Sequence, residues 1–257
     1  MDIVYIYGKG KSAAGDGFEL RHSLRSIEQC TGIDRVAVCG YCPDWLSDEV
    51  VKIPYFDGMP ISRNSGIGPK SLNMMGNIIH ASEVLGVDEF LVSMDDHFYL
   101  KPVDFANYPW YVRDMKDKPW GCSLPTREQV DGKVYRAVLA STRELLEFEG
   151  WPLYNFDIHR NMHIRRSAIE VARPLTDALA KGKIPAVCAI TLWANLSMVL
   201  DKDIEPVPAW DFKIRTLGEF EARAKTEASF STVDFMPGST LYQLVASLYP
   251  NKSKYEL

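Results

Sequence analysis

The sequence predicts an α/β protein, with a mostly parallel, twisted sheet flanked by helices and a helical elaboration toward the C-terminal end. Three observations predict it. Strand-like and helix-like segments alternate over the first hundred residues, the order expected of a parallel sheet with helical crossovers. The run Glu89-Phe-Leu-Val-Ser-Met94 is short and apolar, as in a strand buried on both faces, and it stops at Asp95-Asp96. No repeat, low-complexity tract or break in composition divides the 257 residues, so the chain reads as one domain over 1–257.

Each element has its own local reason. Asp2-Ile-Val-Tyr-Ile-Tyr7 is β-branched and aromatic and runs into a glycine-rich stretch, Gly8 to Gly17, which makes a strand and a loop. From Phe18 the spacing of Leu20, Leu24 and Ile27 predicts a helix. Further strands are expected at Arg35–Cys39 and Val50–Ile53, a loop from Asp57 to Gly68, and a helix from Pro69 to about Leu85. Beyond residue 100 the pattern predicts helices over Thr142–Glu149, Arg165–Ala180 and Ile190–Leu200, and a short strand at Asp211–Ile214. In the last helix Leu241, Leu244, Val245 and Leu248 share one face.

Composition excludes several classes of function. With 46% hydrophobic and 25% charged residues, the chain is an ordinary globule and not a disordered segment. Lysine and arginine number 29 against 34 acidic residues, which argues against coating nucleic acid through bulk charge. The five cysteines, at 30, 39, 42, 122 and 188, have no framework spacing, and the N-terminus has no signal-peptide pattern. Together these predict a reducing, cytoplasmic setting. No apolar run approaches the ~18–20 residues that span a bilayer.

Asp95 and Asp96 are the most informative pair. At the end of a buried strand they stand at the sheet's carboxyl edge, where α/β folds bind ligands. Adjacent carboxylates repel, so a positive group is expected beside them, and a magnesium or manganese ion with hard oxygen ligands fits best. A turn or a helix N-cap would use the same two residues. Arg21 and Arg25, with Glu19 nearby, are four apart on one helix face. They can clamp a phosphate after the glycine-rich loop, or form a solvated face in which Glu28 pairs with Arg25.

Asp157 and His159 are two apart, so in an extended segment they point to one side and can converge on a hydroxyl or a metal. His163 lies in the same polar stretch, which a surface loop would explain equally. Arg160, Arg165, Arg166 and Arg173 make the one local basic cluster, either a solvated face or a contact for an anionic acceptor. Two motifs are set aside. Gly8-Lys-Gly-Lys-Ser12 lacks the upstream glycine of a phosphate loop, which is Tyr5 here. Cys39-Gly-Tyr-Cys42 runs into Pro43 where a redox pair would start a helix, so buried structural thiols are expected.

Several blocks occur in a telling order: Asp2-Ile-Val-Tyr5, Glu19-Leu-Arg-His-Ser-Leu-Arg-Ser26, Pro43-Asp-Trp-Leu46 and Met94-Asp-Asp-His-Phe98. Asn155-Phe-Asp-Ile-His159, Phe230-Ser-Thr232 and Tyr249-Pro-Asn-Lys-Ser-Lys-Tyr-Glu256 follow. Over nearly its whole length the chain resembles Stealth-type sugar transferases, in the short form found in bacteria and phages. The resemblance implies a GT-A-like fold, with residues 1–100 as the nucleotide-sugar half and 101–257 as the acceptor half. It implies that Asp95 and Asp96 hold Mn2+ or Mg2+ and the diphosphate of a nucleotide-diphosphate sugar. Arg21, Arg25 and Lys213 would lie near that donor, and His159 or Asp157 near the reacting centre. His97 departs from the family, which usually has an aromatic residue there.

The expected activity is metal-dependent transfer of a sugar to an acceptor hydroxyl, of a glycan or of a hydroxymethylated base in phage DNA. A capsular-polysaccharide phosphotransferase, moving a sugar phosphate, is the alternative within the family. A carbohydrate- or nucleotide-binding protein without turnover is the alternative outside it.

Overall fold

A computed structural model describes residues 1–8, 17–54, 69–132, 134–232 and 236–257, with backbone alone at 69–73. Most of the glycine-rich stretch after Gly8, and the loop expected at 57–68, lie outside the described residues.

The central sheet has five strands. Strands β1 (Asp2–Tyr7), β2 (Val36–Gly40), β3 (Val50–Pro54) and β4 (Glu89–Ser93) are parallel, and β7 (Met162–Arg165) joins antiparallel to β4. The spatial order is β3-β2-β1-β4-β7. Between them, α1 (Phe18–Ile27) follows β1 and α2 (Pro69–Leu85) follows β3. The expected α/β class, with a mostly parallel sheet between helices, is what forms.

Strand alternation explains why both faces are covered. Val4, Phe90 and Val92 turn to one side, where Ile78 and Ala81 of α2 pack with Leu192, Trp193 and Leu196 of α6 (Ala189–Leu200). Ile3, Tyr5 and Leu91 turn to the other, against Leu20, Leu24 and Ile27 of α1, all fully buried. Burying side chains of this size is worth ~1.5–3 kcal/mol each, which favours docking the apolar face of α1 on the sheet. Gly17 opens α1 at φ +70, and a Cβ there would also sit 3.0 Å from the Trp45 ring, so glycine suits this entry on both counts.

A second layer positions the site. A three-stranded sheet, β5 (His97–Tyr99), β10 (Ser229–Thr232) and β9 (Lys213–Ile214), packs Phe98, Phe230 and Ile214 on Leu241 and Val245 of α8 (Thr240–Leu248). A two-stranded parallel pair, β6 (Trp110–Arg113) and β8 (Pro206–Ala209), stands nearby. No helix among the described residues is long and apolar enough to cross a membrane.

The second half differs from expectation in instructive ways. The helix expected over Arg165–Ala180 is three elements: β7 to Arg165, then α4 (Arg166–Val171) and α5 (Arg173–Ala180). Pro174 stands in the first turn of α5, where its missing N–H costs nothing. The helix expected at Thr142 is α3 (Val134–Glu149), two turns longer, because exposed Val134 and half-exposed Tyr135 blur its apolar stripe. The expected strand at Asp211–Ile214 keeps only Lys213–Ile214, and α7 (Leu217–Arg223) follows it. Cys39 and Cys42 are free thiols whose sulfurs bond to main-chain carbonyls, the structural role expected.

Candidate active site at the carboxyl end of the fourth strand

The chain leaves β4 at Ser93 and turns through Met94–His97, where the His97 amide donates to the Met94 carbonyl at 3.3 Å. Asp95 and Asp96 occupy this turn, at the sheet's carboxyl edge. The Thr232 amide donates to the Asp96 carbonyl at 3.2 Å, tying the turn to β10. Lys213, paired in register with Ser231, brings its Nζ to 3.6 Å from Asp96 Oδ2. Burial pushes the Asp96 carboxyl above its usual range, and the opposing pull of Lys213 and His159 does not cancel it. Burial of Asp96 therefore outweighs the stabilisation its carboxylate receives from Lys213.

His159 arrives on an extended segment whose alternation orients it. Phe156 and Ile158 are buried, so Asp157 and His159 turn outward together. The His159 amide donates to Asp211 Oδ1 at 3.3 Å. Asp211 and Lys213 repeat the same spacing on the neighbouring segment. Two cross-ties hold these segments side by side. Arg160 donates to the Trp210 carbonyl at 3.2 and 3.3 Å and pairs with Glu227 at 3.2 Å. Arg113 at the end of β6 lies 3.0 Å from Asp211 Oδ2 and 3.6 Å from Asp157 Oδ2, and its Nε donates to the Asp157 carbonyl. Tyr135 turns its hydroxyl toward Cys188 Sγ at 3.8 Å. Burial raises the Cys188 thiol, and the Asp157 charge adds to that shift.

Lys213 thus pairs with Asp96, His159 is close enough for its charge to act on that carboxyl, and Asp157, two residues before His159, is held in an ion pair with Arg113. Sequence reasoning missed Arg113, whose strand Trp110–Arg113 has no pattern of its own. Asp211 had a signal, since Asp211-Phe-Lys213 spaces its charges as Asp157-Ile-His159 does.

Arg21 and Arg25 belong to a different cluster. The anion they hold is the Glu256 carboxylate: Arg25 grips it with two donors at 2.8 and 2.9 Å, and Arg21 Nη1 lies at 3.2 Å. The guanidinium of Arg21 also sits 4.1 Å over the Trp45 ring. Glu28, the other partner considered for Arg25, accepts from the Lys254 amide at 2.6 Å instead. Three of the sequence blocks, around Arg21, Trp45 and Glu256, therefore build one clamp. Burial alone would raise the Glu256 carboxyl, but Arg25 and the Ser253 donors hold it down at about 2.

Removing this charge leaves two partly buried arginines without their anion. Glu256→Gln is expected to cost about 3–5 kcal/mol of unfolding free energy. The unfolded chain takes this proton near 4.5 and the folded chain only near 2, so the contribution is full above that window and lost as pH falls through it. Denaturant unfolding of wild type and variant should converge as the pH is lowered across this window. Parallel curves would refute the clamp.

The other candidates are structural. His97 is buried and shares a hydrogen bond with Asn161 Oδ1 at 3.0 Å through Nδ1. Burial keeps it neutral, with its pKa lowered to about 3 despite the opposing hydrogen bond with Asn161. Its ring packs 4.8 Å from that of Tyr99, as an aromatic residue would. His163 lies in β7 between Glu89 (2.6 Å) and the Tyr108 carbonyl (2.8 Å), stacked on Trp110. The basic cluster is neutralised. Arg160 pairs with Glu227, Arg165 with Glu89 and Asp201, Arg166 with Glu170, and Arg173 with Glu83.

No family model and no curated protein matches the chain. Among solved structures, the chain is similar to the galactosyltransferase LgtC in complex with donor and acceptor sugar analogues, at 12% identity and a TM-score of 0.46, covering 99% of this chain and 98% of that one. An active-site mutant of LgtC gives 12% identity, a TM-score of 0.47 and the same coverage. A glycosyltransferase involved in glycosylation of the major capsid of PBCV-1 gives 10% identity and 0.39, over 97% and 99% of the two chains.

Proposed function

We propose that this protein transfers a sugar from a nucleotide-diphosphate sugar to an acceptor hydroxyl. The observation that carries the reading is the Asp96–Lys213 ion pair at the carboxyl edge of a parallel sheet, with the His159 imidazole near enough to act on the Asp96 charge. That edge is where α/β sheets take phosphorylated ligands. Residues 1–100 supply the donor side and 101–257 the acceptor side.

In net terms, the acceptor oxygen bonds to the anomeric carbon as the bond from that carbon to the diphosphate oxygen breaks. The electron pair leaves with the nucleoside diphosphate, and the acceptor proton passes to the His159 imidazole. Lys213 directs its charge at the departing diphosphate. Asp157, already paired with Arg113, orients rather than accepts the proton. Arg21 and Arg25 serve the C-terminal clamp in this reading.

A divalent ion fits the donor set. Asp95 and Asp96 offer hard oxygen ligands, and the charge of Lys213 does not fully offset the burial of Asp96. Among the described residues, no three His, Cys, Asp or Glu side chains form a metal cage, so phosphate oxygens and water would complete the shell of Mg2+ or Mn2+. Bound there, the ion would offset charge on the leaving diphosphate. With its basic cluster neutralised, the chain favours a glycan acceptor over DNA.

The Stealth-like order of the sequence blocks supports a second reading, sugar-phosphate transfer, in which the acceptor attacks the β-phosphorus. One experiment separates them: incubation with Mn2+ or Mg2+, a panel of nucleotide sugars and glycan or hydroxymethylated-DNA acceptors, with mass analysis of products. Free nucleoside diphosphate with a glycosylated acceptor is expected. Nucleoside monophosphate would establish phosphotransfer, and unchanged donors throughout would leave a binding protein.

A further inference from the structure

We propose that Arg113 is a positioning residue for this transfer, tying the segments that carry His159 and Lys213 into one geometry around Asp96. The inference rests on the sugar-transfer reading and names a residue which that reading does not need.

Arg113 is anchored on both sides before its side chain acts. Its amide donates to the Asn155 carbonyl at 2.8 Å, and β6 pairs it with Ala209 of β8. Its guanidinium then reaches forward from both anchors. It takes Asp157 through carbonyl and carboxylate on one segment, and the Asp211 carboxylate on the other. Asp211 in turn accepts the His159 amide, so the tie passes from Arg113 to the main chain of His159. Lys213 follows Asp211 by two residues and inherits its position.

The charge pattern has the same logic. Asp157 and Asp211 would repel each other across the gap, and the Arg113 side chain between them is four-fifths buried. Only a planar, multi-donor cation can serve both carboxylates and a carbonyl together, so lysine is an incomplete substitute. No bond runs from Arg113 to Asp96 or to Lys213, so its effect on chemistry is through placement alone.

The test uses the full-length protein with Arg113→Gln, Arg113→Lys, Asp211→Asn and the double variant Arg113→Gln/Asp211→Asn. The expected result for Arg113→Gln is a fall in kcat of about 10²-fold, the size that ~1 Å misplacement of a catalytic group produces, with a much smaller loss of nucleoside-diphosphate affinity through Lys213. Arg113→Lys should recover part of kcat. The double variant should be no worse than Arg113→Gln alone, because both remove one tie. Hydrogen exchange should rise together in 155–161 and 209–213. A folded Arg113→Gln with wild-type kcat overturns the proposal. So does a kcat that falls in proportion to nucleotide affinity and melting temperature with no gain from lysine, which marks a purely structural arginine. A wild-type protein that neither binds nucleoside diphosphate nor turns over donor defeats the transfer reading itself, a different result from an active wild type with an indifferent variant.

Discussion

His159→Ala is expected to lower turnover by about 10²–10⁴-fold while donor affinity stays close to wild type. General-base assistance acts on the chemical step, so its loss is read in kcat and leaves ground-state binding alone. The variant should fold, because His159 is only partly buried and the bond from its main-chain amide to Asp211 survives truncation. Steady-state kinetics beside calorimetric titration of nucleoside diphosphate separate the possible roles. If His159 instead completes an ion's shell, affinity should fall with turnover and partly recover at higher manganese. Near-full activity of the variant across pH 6–8 would remove His159 from the site and return Asp157 as the base.

Asp96→Asn is expected to weaken divalent-dependent binding of nucleoside diphosphate by more than about 100-fold, since even outer partners of a metal ligand are worth 10–100-fold. Stability should not fall. The folded-state pKa of Asp96 is raised above its unfolded value, so at neutral pH the ionised carboxylate opposes folding. The neutral amide has the same shape without that cost, and thermal unfolding should occur at the same or a higher temperature. Loss of function with gain of stability is characteristic of a residue kept for chemistry. Unchanged metal-dependent affinity in the folded variant would remove the ion from Asp96.

Much of the fold was legible because its cause is local. The buried strands Ile3–Tyr5 and Phe90–Val92, and the spacing of Leu20, Leu24 and Ile27, carry their own periodicity, and these elements formed where the pattern placed them. The end of β4 at two carboxylates marked the candidate site for the same reason. Strands β5 to β8 and β10 were not legible, since each is at most four residues long and exists through its partner. Met162–Arg165 is the clearest case, a polar-looking run that becomes a strand by pairing with β4 at the sheet's edge.

By itself, then, the sequence determined the four parallel strands β1 to β4 and the helices α1 and α2 between them, products of local hydrophobic patterning, and the acidic turn at the end of β4. Only the tertiary structure decided which charges meet. Arg21 and Arg25 find their anion in Glu256, more than 230 positions away, while Lys213 and His159 reach Asp96 from separate segments. Charge pairing depends on separations of a few ångströms in space, and no spacing along the chain encodes those distances until the core has packed.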